Sequence, residues 1–321
     1  ICVCGVLAGA DGPKAIGVWA RAHAEWLKKY LELPHGIPSH DTIGRLLAAL
    51  RPAAFQACFE QWIGSLRQRG AGGLTDEVIA IDGKALRRSH NRKKSLGPLF
   101  LVSAWSVQRG ISLGQLATEE KSNEITAIPE LLDQIELNNA TVTIDAAGCQ
   151  KNIAAKIIDK GGDYLLALKG NQDTLYQAAM DYVIEQMEND FATTTVERYV
   201  ETTKGHGRED TVEYFHLPVP KTLPGASLWK KLSTIGVAVR TSLQDGKETT
   251  DIRFFISSLS LEVRRFAAAG RGHWGIENSL HWVLDVTFEE DRSRIRKDHG
   301  PENFAMLRRI ELRFALFAAD A

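Results

Sequence analysis

Three acidic residues stand where carboxylates can do chemistry: Asp82, Asp145 and Glu277. The first two each close a continuous apolar run, VIAID at 78–82 and ATVTID at 140–145. The third lies in GHWGIENSLHWVLDVTFEED, residues 272–291. There His273, Glu277, His281 and Asp285 recur at every fourth position, one ridge of a helix. Taken singly, an acid at a strand end is usually a cap or turn residue, and Glu277 could be a salt-bridge partner of Arg271 or Arg294. Taken together they would repel one another in a partly buried site unless cations stood between them. Hard divalent ions with oxygen ligands, Mg²⁺ or Mn²⁺, suit that role. Two such ions roughly 4 Å apart would activate a water or a 3′-hydroxyl on one side of a phosphodiester and stabilise the leaving oxygen on the other. A zinc site on the same ridge is not expected. The histidines stand two helical turns apart, whereas the zinc-binding HExxH pattern sets them one turn apart.

The ridge is framed by Trp274, Ile276, Leu280, Trp282, Val283, Leu284, Val286 and Phe288. A helix apolar on nearly all sides is expected to be buried, so the segment predicts a buried helix that carries Glu277 inward. The tryptophans are expected in packing rather than in base stacking.

The elements that would position these acids follow from the patterns around them. Residues 1–72 are expected to be helical, with segments at 19–33, 39–50 and 52–70. The second has a cap at Ser39 or Asp41, and the third opens at Pro52. The opening ICVCGVLAGADG reads as a helix whose beginning has been cut off. RGAGGLTDE at 69–77 is a Gly-rich linker.

Beyond it, VIAID, PLFLVSAWSV (98–107) and ISLGQLAT (111–118) are strands, the last two a hairpin joined at QRG. SNEITAIPELLDQIEL (122–137) is a helix capped by Ser122. ATVTID, the helix CQKNIAAKIIDKGG and the strand DYLLALKG follow. Apolar runs of this kind belong to strands buried on both faces. Crossover connections are right-handed and set the strand ending at Asp82 parallel to the one ending at Asp145. If these strands are neighbours, their acids meet at one sheet edge. The order β-β-β-α-β-α-β predicts an α/β fold: a ribonuclease-H-like mixed sheet flanked by helices. Two further alternating pairs, around KGHGRE and a DG turn, are expected as an inserted antiparallel β subdomain at about 190–259. The expected domains are a helical region over 1–72 and an α/β region over 73–321 that carries the acids.

The 321 residues are 44% apolar, and 39 Lys+Arg stand against 40 Asp+Glu. Whole-chain charge therefore points to no polyanionic partner; a basic surface would have to be local. Two runs are local in this sense. KALRRSHNRKK follows Asp82 directly and RSRIRK lies at 292–297. Lys84, Arg87, Arg88, Lys169, Arg271, His273, Arg294 and Arg296 are the candidate polyanion contacts, since phosphates are held by such density. Four cysteines without a CxxC pair fit a reduced, cytoplasmic protein. No apolar run reaches the roughly 18 residues of a membrane span.

The stretches GIPSHDTIGRLLAAL, AIDGKALRRS, TIDAAGCQKNIAAKI, DYLLALKGNQ, KGHGRED, RFFISSL and HWGIENSLHWVLDVTFEED resemble the DDE transposases of bacterial insertion sequences. The resemblance is closest to the branch of the H-repeat-associated proteins and covers about residues 36 to 310. It implies a ribonuclease-H-like catalytic domain and Mg²⁺-dependent strand cleavage and strand transfer at element ends. The implied acids are Asp82 in AIDGK, Asp145 in TIDAAGC and Glu277 in HWGIEN, holding two ions. The implied partners are double-stranded DNA, as terminal repeats and target, and a second copy of the chain on that DNA. The wider superfamily places Arg, Tyr and Lys along the third-acid helix where this chain has His273, Gly270 and Leu284. Two alternatives share the sequence features: a metal-dependent nuclease that cuts without joining, and a silent DNA-binding remnant.

Overall fold

The computed structural model describes residues 1–69, 76–90, 97–118, 124–205 and 207–319, with 60, 62–69 and 313–319 described as helical backbone. Parts of the 69–77 linker, Ser122, His206, Arg92, Lys93 and Lys94 fall outside these residues. The chain forms a mixed α/β structure of two compact units that do not follow chain order. One unit takes residues 1–73, 83–127 and 276–321; the other takes 74–82 and 128–275.

The first unit opens with helices α1 (Cys2–Leu7), α2 (Pro13–Ala22), α3 (Ala24–Leu27), α4 (His40–Ala49) and α5 (Pro52–Arg69). Ser39 caps α4, its hydroxyl accepting from the Thr42 N–H at 3.2 Å. These helices share a core with a helix from the far end of the chain. Val6, Ile16, Ile43 and Leu47 pack on Phe304 and Leu307, which belong to α11 (Gly300–Ala319), reached after α6–α10 described below. The Asn303 amide donates to the Leu47 and Leu50 carbonyls, each at 2.8 Å, and so satisfies the end of α4. The unit also holds the end of β1 (Glu77–Leu86) and the hairpin of β2 (Leu99–Ser106) and β3 (Ile111–Thr118), paired antiparallel as the QRG turn predicts.

In the second unit the first part of β1 lies beside β4 (Ala140–Ile144), and β4 beside β5 (Asp163–Leu168), all parallel. Every residue of β4 is buried, as is β1 through Ile81. That burial is why these strands are apolar without alternation. Helices α6 (Glu124–Gln134), α7 (Lys151–Asp159), α8 (Asp173–Glu188) and α9 (Val263–Gly275) complete the crossovers and covers. Four strands follow α8: β6 (Glu197–Gly205), β7 (Arg208–Pro218), β8 (Thr234–Gln244) and β9 (Lys247–Ser257). The β8–β9 turn is Asp245–Gly246, both at positive φ, as a DG turn requires.

These four strands, expected as an inserted antiparallel β subdomain, pair antiparallel with one another and continue the sheet, β9 pairing antiparallel with β5 from Leu165↔Ser257 to Leu168↔Phe254. The pairing edge is apolar: Phe254, Phe255 and Ile256 are buried. Phe266 of α9 sits against the rings of Tyr214, His216 and Phe255. A Cβ on Gly236 would meet Phe266 at 2.5 Å, so that glycine admits the helix to the sheet.

Candidate active site

The parallel register sets the first two acids side by side in sequence terms. Ile81 pairs with Ile144, so Asp82 and Asp145 are the next residues on neighbouring strands of one unit. Both are half-buried. Asp145 is the first residue past β4 and opens a tight loop, its Oδ1 accepting from the Gly148 N–H at 3.2 Å. Gly148 is required there, because a Cβ would lie 2.3 Å from Ile144 Cγ2. The loop is held from the far side by Asn171, whose amide donates to the Ala146 carbonyl at 2.5 Å. Gln172 donates to the Cys149 carbonyl at 2.9 Å. These two residues follow β5 in the LALKGNQ run, and their supporting role has no signal in the sequence beyond their place after a buried strand. Burial, reinforced by the Asp145 charge, pushes the Cys149 thiol up to about 12, so this cysteine is an inert core residue. After Asp82, Gly83 is also dictated by crowding: a Cβ would meet Phe100 at 2.4 Å and Glu124 at 2.7 Å.

Asp145 lines a hollow of about 370 Å³ together with Lys169, Gly170, Arg253, His273 and Trp274. Lys169 is exposed and His273 half-buried. The hollow therefore gathers one acid, an ammonium and an imidazole, three of the residues singled out in the sequence. Trp274 is half-buried, with the Arg253 guanidinium 4.7 Å over its ring. Arg253 also pairs with Asp251 at 2.7 Å.

The other predicted residues are placed less simply. The stretch 272–291 is not one buried α-helix. α9 ends at Gly275, a π-helical turn spans Ile276–His281, and α10 runs from Trp282 to Val286. Of the apolar residues framing the ridge only Ile276, Leu280 and Leu284 are buried, while Trp282 is 58% exposed. Glu277 is exposed, contrary to the inward placement expected from the apolar composition. The reason is geometric: the buried stripe is Ile276, Leu280 and Leu284, and Glu277 stands one residue, about 100° around the axis, from it. Glu277 lies in the first unit, and Asp82 and Asp145 in the second. Among the described residues, no three His, Cys, Asp or Glu side chains form a group able to hold a metal ion.

Lys84 was expected on an exposed basic run. Its side chain is only 10% exposed and is ion-paired to Asp285 and, at 3.3 Å, to Glu290. Glu290 is fully buried and also receives Arg309 at 3.2 Å. Lys84 is thus an internal cation rather than a phosphate contact. Arg87 is exposed and pairs with Asp291 at 3.1 Å. Arg88 is exposed, and its carbonyl accepts from Arg296 at 2.8 Å. Arg271 is paired to Glu201, and Arg294 is exposed.

The family model described as "Transposase DDE domain" matches residues 73–311, and one described as "DDE_Tnp_1-associated" matches 1–63. The chain belongs to the DDE transposases. Within the family it is 39% identical to the H repeat-associated putative transposase YhhI of Escherichia coli K12, over 97% of this chain and 82% of that one. It is 42% identical to the putative transposase YncI of Escherichia coli O157:H7, over 97% and 79%. It is 38% identical to the H repeat-associated putative transposase YbfD, over 69% and 85%. Membership of the H-repeat-associated branch follows. A solved piggyBac transposase synaptic complex with hairpin DNA is similar at a TM-score of 0.41 and 9% identity, covering 99% of this chain and 65% of that one, a likeness too weak to argue from. Among the described residues no helix is long and apolar enough to cross a membrane.

Proposed function

We propose that this transposase cuts DNA at the ends of an insertion sequence and joins the ends to a target, on a ribonuclease-H-like sheet, with Asp82, Asp145 and Glu277 as its three acids. The observation that carries the reading is the β1–β4 register, which brings two parallel strands to an acid at the same step. Two aspartates at such strand ends offer the hard oxygen donors that Mg²⁺ or Mn²⁺ takes. Glu277 joins them through its place in the HWGIEN stretch that resembles the family's third-acid helix. When bound, two divalent ions would supply Lewis-acid activation of the attacking and leaving oxygens.

The chain's own groups do the rest. Gly148 and Asn171 fix the Asp145 loop, so the carboxylate is held rather than wandering. Lys169 is exposed beside it and reaches a phosphate without disturbing the fold. His273, at the same hollow, orients the strand being cut. The working form proposed is a dimer on paired ends, because the reaction joins two ends. The test is cleavage and joining of a duplex bearing the flanking element ends, with and without Mg²⁺. Asp145→Asn is expected to lower the rate by roughly 10²-fold or more while leaving DNA affinity within a few-fold. Equal rates for wild type and variant would remove Asp145 from the chemistry. Nicks without joined product would favour a nuclease.

A second reading has its own support. The absence of a three-acid group among the described residues and the exposure of Glu277 favour a DNA-binding protein without catalysis. It predicts salt-sensitive binding unchanged by EDTA, and no cleavage with either metal.

A further inference from the structure

A second hollow, of about 610 Å³, lies in the first unit. It is lined by Asp11, Lys14 and Ala15 at the start of α2, by Glu289, Arg292 and Arg294, and by Arg308 of α11. Its positive groups outnumber its acids, and they are unequally satisfied. Arg292 is paired with Glu289 at 2.6 Å. Lys14 and Arg294 are exposed and hold no ion pair among the described residues.

Arg308 is the telling residue. It is 2% exposed, stacks on the Phe304 ring at 4.4 Å, and its Nη2 has no hydrogen-bond partner among the described residues. The carboxylates that act on it are Glu290, which already receives Lys84 and Arg309, and the exposed Asp11 at the hollow, neither of which hydrogen-bonds Nη2. A buried guanidinium nitrogen without an acceptor is costly and calls for an anion. α2 adds to the same hollow. It opens at Pro13 with no side-chain cap, so the N–H groups of Lys14 and Ala15 meet no capping side chain, and the helix start carries partial positive charge.

We propose that this hollow is a phosphate-binding site for the DNA backbone, with Arg308 as the buried anchor, the α2 N-terminus as the cradle, and Lys14 and Arg294 as the rim. The ligand is a phosphodiester rather than a free anion, because the rim cations are solvent-facing and the exposed charge continues past the hollow to Arg296 and Lys297. The proposal rests on the DNA-acting reading above, but it is independent of the three acids and of any metal.

The experiment measures binding of a fluorescein-labelled duplex to the full chain in EDTA across a salt series. The double variant Lys14→Glu/Arg294→Glu changes only exposed positions. It is expected to bind several-fold more weakly at low salt, with the slope of log affinity against log salt reduced by about 1–2. The control reverses two exposed charges elsewhere, Lys221→Glu/Lys247→Glu. A weakening there as large as at the hollow overturns the proposal, because bulk charge would then explain both. Equal affinity and slope for the double variant and wild type, with unchanged thermal melts, also overturns it, as does wild type that binds no duplex. Inorganic phosphate is the second probe. Stabilisation of wild type by phosphate that the double variant loses, with duplex binding unchanged, assigns the hollow to a free anion and overturns the DNA assignment. Asp145→Asn is expected to keep the wild-type slope, so a failure of catalysis leaves this result standing.

Discussion

Asp145 depends on a glycine three residues away. The Gly148 N–H donates to its carboxylate, and the glycine's missing Cβ makes room for Ile144. Gly148→Ala must push aside a side chain that is 1% exposed. It is expected to cost roughly 1–3 kcal/mol of stability and to impair cleavage together with it; urea denaturation read beside the cleavage rate checks both. Lys84 is different in kind. It neutralises the fully buried Glu290 together with Arg309, so Lys84→Met should cost about 3 kcal/mol, while duplex affinity stays near wild type. A large loss of affinity without a loss of stability would return Lys84 to the DNA face. The sequence shows Lys84 only as the first member of a basic run. Its two carboxylate partners lie some two hundred positions away, and local charge density cannot reveal such pairing.

At the scale of elements, the strands were legible because parallel burial writes a simple code. VIAID and ATVTID carry no alternation and end in acids, and their parallel direction follows from the crossover rule; that they are neighbours is seen only in the sheet. The Glu277 segment was legible as helix and misread in detail. Composition reports how apolar a segment is but not which stripe of it is buried. α11 carries a different surprise, two half-hidden or hidden acids. Burial raises the Glu311 carboxyl from 4.5 to about 8 and the Glu302 carboxyl to about 7. In the unfolded chain these groups ionise near 4.5, whereas folded they keep their protons to higher pH. Their contribution to stability is therefore complete below about pH 4.5 and is lost as the pH rises through the window up to about 8. Glu311→Gln should flatten that decline and leave the variant more stable than wild type above pH 8. Chemical denaturation at a series of pH values measures it, and an unchanged slope would place the Glu311 carboxyl in water.

For the molecule as a whole, chain order and compact units diverge. The opening helices rest on Phe304 and Leu307 from the far end of the chain, a pairing that no local pattern announces. A chain reduced to residues 73–321 would lay bare the α11 face that Ile16, Ile43 and Leu47 cover. It is expected to lose cooperative unfolding or to aggregate, readable by calorimetry and size-exclusion chromatography. A sharp transition at the wild-type temperature would show that α11 needs no such cover. Near-neutral net charge gave no sign of a polyanion partner, and the arginine anchor at 308 hides inside an apolar helix in the sequence. The meeting of Asp82 and Asp145 at neighbouring strand ends was readable from the apolar runs, whereas the basic surface was not, since that depends on which cations folding leaves unmatched.

The π turn at Ile276–His281 has a further consequence. A single residue advances an α-helix by about 100°, so one surplus residue decides which compass direction the side chains after the turn face, Asp285 among them. A deletion of Ser279 would let the coil tighten to ordinary pitch and swing every later side chain around the axis. In this chain, a length change of one amino acid would turn the Asp285 carboxylate away from Lys84, where substitution alone could only remove it.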